Sequence, residues 1–200
     1  MMKPRFPMEV TLRNGATIAI REMLPEDEEK SFEFFKTLPE DERQYLRMDV
    51  TVLENIRRRM KTSGFQRCWR LIAETDDKII ADATLCGPAV GWMRHVSEIR
   101  SIIHPDYKRK GLGSILITEL FQKAVADNVD FVFCEVMSAQ KSAITALEKI
   151  GFTRELVRSN HVKDIHGVKH DLYIYVKDVH EMWDTLKNHM LEYDIPYRPE

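Results

Sequence analysis

Long apolar runs are absent from this 200-residue chain, and neither sign of charge dominates it. Without an uninterrupted apolar stretch of about 20 residues, nothing in the sequence predicts a helix that crosses a bilayer. The 30 basic and 32 acidic residues leave a formal net charge of −2, so no overall field draws the protein to nucleic acid or to an anionic membrane. We therefore expect neither as a partner. The first ten residues, MMKPRFPMEV, lack the apolar core of a signal peptide, and this indicates a cytoplasmic protein.

Cysteine is scarce. The chain has only three cysteines, at positions 68, 86 and 134, and they are odd in number and far apart in sequence. This pattern matches neither a disulfide framework nor the closely spaced pairs of a zinc site. The cysteines are thus predicted to be buried, reduced thiols, and no metal is expected.

Enough apolar residues are present to form a core. The chain is 44% hydrophobic and 31% charged, a composition that excludes an intrinsically disordered protein. Its length suits one domain, and no repeat, low-complexity tract or Pro/Gly/Ser-rich linker divides it. We expect a single domain over residues 1–200.

Hydrophobic periodicity predicts an α+β fold with a mixed sheet. The segment VTLRNGATIAIR places alternating runs on both sides of Asn14-Gly15, which is a strong hairpin signal. Later strands are predicted, in chain order, at 69–74, 79–86, 97–103, 131–136, around Val162 and at 172–176. Helices are predicted from Pro25 to Leu38, over 40–60 with a break near 49–51, from Gly113 onward, from Ser142 to Ile150 and over 181–192.

One basic, glycine-containing turn stands out, in the segment HPDYKRKGLGSIL at 104–116. Gly111 and Gly113 permit tight backbone geometry and the close approach of a ligand. The helix that follows offers unpaired N–H groups and the positive end of its dipole, which suit a pyrophosphate. The glycine spacing fits neither a Walker loop nor a Rossmann fingerprint. Taken alone, the turn is equally well interpreted as a basic surface turn that leads into a helix.

The flanks of the turn favour the ligand-binding interpretation. The string SEIRSIIHPDYKRKGLGSILITEL resembles the coenzyme-A-binding signature of the GNAT acetyltransferase superfamily, in which Q/R-x-x-G-x-G/A follows a strand. Here the turn begins with Lys108 in place of the usual Gln or Arg, and the positive charge is kept. A second string, QKSAITALEKIGFTRE, resembles the later helix of the family, which ends in Gly-Phe at Gly151-Phe152. The resemblance covers about residues 10–178.

The resemblance is strongest over 96–155, and the opening hairpin and helix also look like the acetyltransferase domain of bacterial protein-lysine acetyltransferases. It implies a central, mostly antiparallel sheet flanked by helices, with strands 97–103 and 131–136 parallel and splayed apart. The unpaired edge of the first strand would bind the pantetheine arm of acetyl-CoA as an added strand. No metal would take part. The cofactor-binding residues expected are Ser101, Ile102, Ile103, Lys108, Arg109, Lys110, Gly111, Leu112, Gly113, Ser114 and Gln140.

The resemblance also implies a general base. An amine that resembles lysine lies roughly 3.4 units below its pKa at neutral pH, so deprotonating it costs about 4.6 kcal/mol. Glu98 has the spacing of the family's catalytic glutamate from the glycine turn; alternatively it is a solvated charge or an ion-pair partner of Arg100. Many members have a tyrosine as general acid where this chain has Leu147. Ser142 and Tyr173 are the candidates to replace it.

Three functions stay open at this point. The first is an N-acetyltransferase that acts on a protein lysine, and the second is one that acts on a small amine. In both, the amine attacks acetyl-CoA directly in a ternary complex. The third is a coenzyme-A-binding regulatory module without catalysis, which Leu147 favours. Acceptor choice depends on loops near 40–65, 86–96 and 160–170, and the protein is expected to be a monomer or a homodimer.

Overall fold

Eight strands form one mixed sheet in a computed structural model that describes residues 6–61 and 65–181. The strand order is β1-β2-β3-β4-β5-β6-β8-β7. Every neighbouring pair is antiparallel except β5 and β6, which run parallel. This confirms the predicted fold class. The strands are β1 (Met8–Thr11), β2 (Thr17–Glu22), β3 (Gln66–Thr75), β4 (Lys78–Pro88), β5 (Val96–Ile103), β6 (Phe131–Met137), β7 (Thr153–Lys163) and β8 (Lys169–Asp178).

Five α-helices accompany the sheet within the described ranges. They are α1 (Glu28–Thr37), α2 (Glu40–Arg43), α3 (Leu53–Met60), α4 (Leu112–Ala126) and α5 (Lys141–Lys149). The helical stretch predicted over 40–60 is therefore two short helices, and the segment between them is longer than expected. The helix predicted over 181–192 lies outside the described residues except for Glu181. None of the helices in the described part of the chain is both long and apolar enough to span a membrane.

The two faces of the sheet are covered by different helices. Leu71 and Ala73 of β3 belong to one apolar cluster and Ile72 between them to another, because side chains alternate across a strand. On the first face α4 packs through residues at helical spacing: Leu112, Leu116, Leu120, Phe121 and Ala124. On the second face α1, α3 and the segment before α3 contribute Phe34, Phe35, Leu38, Val50 and Ile56.

The cysteines correct one prediction. Cys68 and Cys86 lie directly opposite each other on β3 and β4, with their Cα atoms 4.1 Å apart, and they form a disulfide. The antiparallel register, which the sequence separation conceals, brings them together. Cys134 is free and buried as predicted, and burial raises the pKa of its thiol to about 12. Among residues 6–61 and 65–181, no three His, Cys, Asp or Glu side chains are placed to hold a metal ion.

The cysteine arrangement predicts a labelling pattern. Because the thiolate is the reactive form, native protein handled without reductant should take up no iodoacetamide at about pH 8. Unfolding without reductant should expose one thiol, and unfolding with reductant should expose all three cysteines. Intact-mass measurement counts the added groups. Three reactive thiols in unreduced, unfolded protein would contradict the pairing of Cys68 with Cys86.

Candidate active site

The parallel strands β5 and β6 are paired over only a short stretch. The register matches Val96 with Phe131, Ser97 with Val132 and Glu98 with Phe133, and it ends there. Beyond this point β5 stays paired with β4 as far as Ile103, whereas β6 stays paired with β8 as far as Met137. The two strands therefore separate, and one edge of β5 has no neighbouring strand among the described residues. This is the splayed pair that the sequence led us to expect.

Backbone direction shows which groups line this gap. The N–H of His104 donates to the carbonyl of Ile80 on β4 at 2.8 Å. Because residues of a strand point their backbone groups alternately to either side, the groups of Ile102 also face β4. Those of Ser101 and Ile103 face the gap. An extended ligand can thus pair with two of the three predicted backbone positions.

The glycine turn lies at the end of this open edge. Gly111 precedes α4 with φ +92°, a left-handed conformation that favours glycine. Leu112, Gly113 and Ser114 then supply the first N–H groups of a 15-residue helix whose first turn holds no acidic residue. A Cβ on Gly113 would lie 3.3 Å from Cδ1 of Ile103, so the helix start packs closely against β5. The helix dipole and its unpaired N–H groups suit an anion here.

The three basic residues of the turn have different surroundings. The ammonium of Lys108 forms an ion pair with Glu42 of α2, which offsets its charge. Lys110 lies over the ring of Tyr107, 5.3 Å from the centroid. Arg109 has a left-handed backbone with φ +61°. The ion pair with Glu42 therefore partly neutralises the positive charge that Lys108 was expected to present to a ligand.

Arg13 is a basic residue at this turn that the sequence reasoning missed. It lies between β1 and β2, and its N–H donates to the carbonyl of Lys110 at 3.2 Å. A Cβ on Gly111 would lie 3.8 Å from the Cγ and Nε of Arg13, so the side chain borders the turn. The sequence carries no local signal for this contact, because it depends on how the first hairpin packs against a loop about a hundred residues later.

Gln140 caps the turn between β6 and α5. Its side-chain oxygen accepts a bond from the N–H of Met137 at 2.9 Å. The oxygen is thus committed to the protein, and the side-chain NH2 is the group that remains for a ligand.

Glu98 occupies the last paired position of β5, at the mouth of the gap, and its side chain is 11% exposed. Arg47 and Arg100 each donate to its carboxylate at 2.5 Å. The ion pair with Arg100 named as an alternative from the sequence is therefore present, at a position that also suits a base.

A cation bridges the gap at the same point. Arg47 lies between α2 and α3, inside the predicted acceptor loop 40–65, and contacts both Glu98 of β5 and Glu135 of β6. Neither Arg47 nor Glu135 was predicted from the sequence. Both oxygens of the Glu98 carboxylate thus accept a bond from an arginine.

The other predicted catalytic residues lie elsewhere. Tyr173 of β8 pairs with Val136 and packs against the α4 cluster, so its side chain is on the face opposite to Glu98. Ser142 is exposed on α5. Leu147 is buried in the α4 cluster, which explains why no polar group stands there. The structure does not bring Glu98, Ser142 and Tyr173 together.

Known proteins match both the sequence and the fold. A family model described as "Acetyltransferase (GNAT) family" matches residues 22–152. The [Ribosomal protein bS18]-alanine N-acetyltransferase of Escherichia coli (strain K12) is 31% identical over 65 residues, 32% of this chain and 44% of that protein. The chain thus spans less than half the length of the curated relatives it matches.

Solved structures match over more of the chain. The GNAT domain of S. lividans PAT has a TM-score of 0.71 at 18% identity and covers 88% of this chain and 99% of its own. A GNAT-family acetyltransferase from Streptococcus pneumoniae has a TM-score of 0.68 at 22% identity, covering 80% and 99%. These similarities show the fold.

Substitution of Gly111 in the turn is expected to weaken the binding of coenzyme A. Gly111→Glu forces a side chain into a left-handed backbone and adds negative charge beside Arg13. We expect it to weaken coenzyme A binding at least about 10-fold, a cost of about 1.4 kcal/mol, measured by isothermal titration. Gly167→Glu is the matched control, because Gly167 has φ +78° in the distant β7–β8 turn. Equal affinities of the two variants would show that the Gly111 turn holds no phosphate.

Proposed function

The chain belongs to the GNAT acetyltransferase family, and we propose that it transfers an acetyl group from acetyl-CoA to a primary amine by direct attack in a ternary complex. The observation that carries this proposal is the open edge of β5, which ends at the glycine turn before α4. A strand-like ligand with an anionic end fits this arrangement, and acetyl-CoA has both parts.

The cofactor would bind along one line. Its pyrophosphate would lie at the first N–H groups of α4, beside Arg13 and Arg109. Its pantetheine arm would pair with the backbone of Ser101 and Ile103, and the Gln140 NH2 could donate to one of its carbonyls. This path leads the thioester toward the mouth of the gap, where Glu98 is located.

Glu98 would act as general base in the transfer. The amine nitrogen attacks the thioester carbonyl carbon, a C–N bond forms, and the C–S bond breaks. The amine's proton goes to Glu98, directly or through one water. A backbone N–H of the unpaired β5 edge would stabilise the oxyanion that forms on the carbonyl oxygen.

Coenzyme A can leave without a strong general acid to protonate its sulfur. A thiol has a pKa of about 8.5, so it can leave as a thiolate near neutral pH. This is consistent with the buried Leu147 at the position where family members have a tyrosine. Tyr173 and Ser142 stay candidates to protonate the thiolate after it leaves.

The acceptor is a protein amine or a small amine. The name of the Escherichia coli relative gives an alanine of a ribosomal protein as its acceptor, which favours a protein. The acceptor side of this chain is instead lined by charged groups that suit a small polar molecule: Arg47, Arg70, Arg100, Glu98 and Glu135. A coenzyme-A-binding module without catalysis is the alternative, favoured by Leu147 and by the two arginines that hold Glu98.

Replacing the base predicts a specific kinetic change. Glu98→Gln should lower kcat by about 10²–10⁴-fold while acetyl-CoA affinity stays within about twofold, because the carboxylate lies away from the turn. The deficit should shrink as the pH rises toward an amine pKa of about 10.4, since the amine is then already neutral. Thiol release gives kcat, and titration gives the affinity.

Glu155→Gln is the matched control, because Glu155 is exposed on β7 and lies outside the predicted acceptor loops. A full rate in Glu98→Gln would remove Glu98 from the mechanism. Acetyl-CoA binding with no turnover of any amine by the unaltered protein would favour the regulatory module.

A further inference from the structure

A row of cationic side chains crosses the sheet on the acceptor face. Arg70 of β3 is opposite Thr84 of β4, and Thr84 is opposite Arg100 of β5. Arg100 is two residues from Glu98 in the same strand, so their side chains share a face. Since neighbouring strands are about 4.8 Å apart, the Arg70 and Arg100 backbones are separated by about 10 Å. Glu98 is two residues before Arg100 in β5, so the Arg70 and Glu98 backbones are about 12 Å apart. The long side chains of both residues can extend over this distance toward the two ends of one small molecule.

Arg70 differs from the other arginines of this face in having no carboxylate partner among the described residues. Arg59 pairs with Asp82, Arg100 with Glu98, and Arg47 with both Glu98 and Glu135. Arg70 donates one bond, to the backbone carbonyl of Arg59 near the end of α3. A guanidinium has five N–H donors, so most of its donors are left for another group.

The surroundings of Arg70 disfavour a lone positive charge. Burial, together with the nearby charges of Arg59 and Arg100, lowers the pKa of Arg70 to about 10, while the charge of Asp82 opposes this shift. The group is still a cation at neutral pH, and a partly buried cation is stabilised by an anion. Its remaining nitrogens are not among the fully buried, unpaired atoms of the described chain, which include the Nε of Arg67. Arg70 as a whole is only partly buried, so part of its surface is open to a ligand.

We propose that Arg70 binds a carboxylate of the acceptor, and that the acceptor is a small amine that also carries an acid group, as amino acids do. The proposal rests on the proposed role of Glu98 as the site where the amine reacts. The planar fork of arginine matches a carboxylate with two parallel bonds. Arg100 lies directly across the sheet from Arg70, and the bond from Arg70 to the Arg59 carbonyl holds the fork in place.

Matched pairs of amines test this directly. Each acid is compared with the amine that lacks its carboxylate: alanine and β-alanine with ethylamine, 4-aminobutyrate with propylamine, phenylalanine with phenethylamine, and lysine with cadaverine. Thiol release from acetyl-CoA gives kcat and KM for each. We expect at least one acid to exceed its partner in kcat/KM by about 10- to 100-fold, the range for a hydrogen-bonded charge pair.

Variants then assign the preference to Arg70. In Arg70→Gln, which keeps a donor for the Arg59 carbonyl, the preference should fall about 10-fold or more, mainly through KM. Arg70→Lys keeps the charge without the fork. Its preference for the acid should therefore lie between that of the unaltered protein and that of Arg70→Gln. Arg158→Gln is the matched control, because Arg158 is exposed on β7 and lies outside the predicted acceptor loops. Thermal unfolding of each variant separates a loss of fold from a loss of recognition.

The outcomes separate this inference from the proposed function. Equal kcat/KM within every pair, a preference unchanged in Arg70→Gln, or turnover of proteins alone would overturn the carboxylate site. Failure to bind acetyl-CoA would instead overturn the proposed function. In that case, titration of the same acids into the protein without acetyl-CoA decides the inference, and binding that Arg70→Gln does not weaken overturns it.

Discussion

The early end of the β5–β6 pairing is the constraint on which the site depends. Three residue pairs hold β5 and β6 together. After Glu98, β5 stays paired only with β4, and β6 only with β8. Unpaired backbone groups are costly when buried and are therefore ready to accept a ligand. The same divergence leaves an opening between β5 and β6, with the glycine turn before α4 near one end of the unpaired β5 edge and Glu98 at the other.

Charge arrangement distinguishes the two ends of this opening. At the turn, Arg13, Lys110 and the dipole of α4 carry positive charge that suits an anion. On the opposite face of the sheet, arginines and carboxylates alternate, and the guanidinium of Arg47 joins the two strands that separate. Arg47 is 42% exposed, whereas its partner Glu98 is 11% exposed. Both partners of the Arg59–Asp82 pair are largely buried, and that pair is part of the fold.

Local signals made much of the fold predictable. Asn14-Gly15 predicts the first hairpin, and the glycine turn predicts the start of α4 to within one residue. Gly151, with φ +85° after α5, marks that helix end. Each of these features is set by a few neighbouring residues. The resemblance carried by 96–155 supplied the splayed strand pair, which periodicity alone does not reveal.

What the sequence could not reveal depends on register and on loop packing. Cys68 meets Cys86, and Arg70 aligns with Arg100, only because three strands pair in one particular alignment. Arg47 reaches Glu98 because the segment between α2 and α3 folds over the sheet. Neither spacing nor composition encodes these positions, and the same is true of Arg13 at the turn. Alternation along β8 likewise places Tyr173 on the face opposite to Glu98, which its position in the sequence does not show.

Amide hydrogen exchange at the open edge tests the account most directly. Ser101 and Ile103 should exchange quickly in the free protein, whereas Arg100 and Ile102, whose N–H groups face β4, serve as protected comparators in the same strand. Adding acetyl-CoA should slow Ser101 and Ile103 by about 10-fold or more as they gain partners. Amides of Ser101 and Ile103 that are already as protected as that of Ile102, or that acetyl-CoA leaves unchanged, would contradict a ligand-binding gap between β5 and β6.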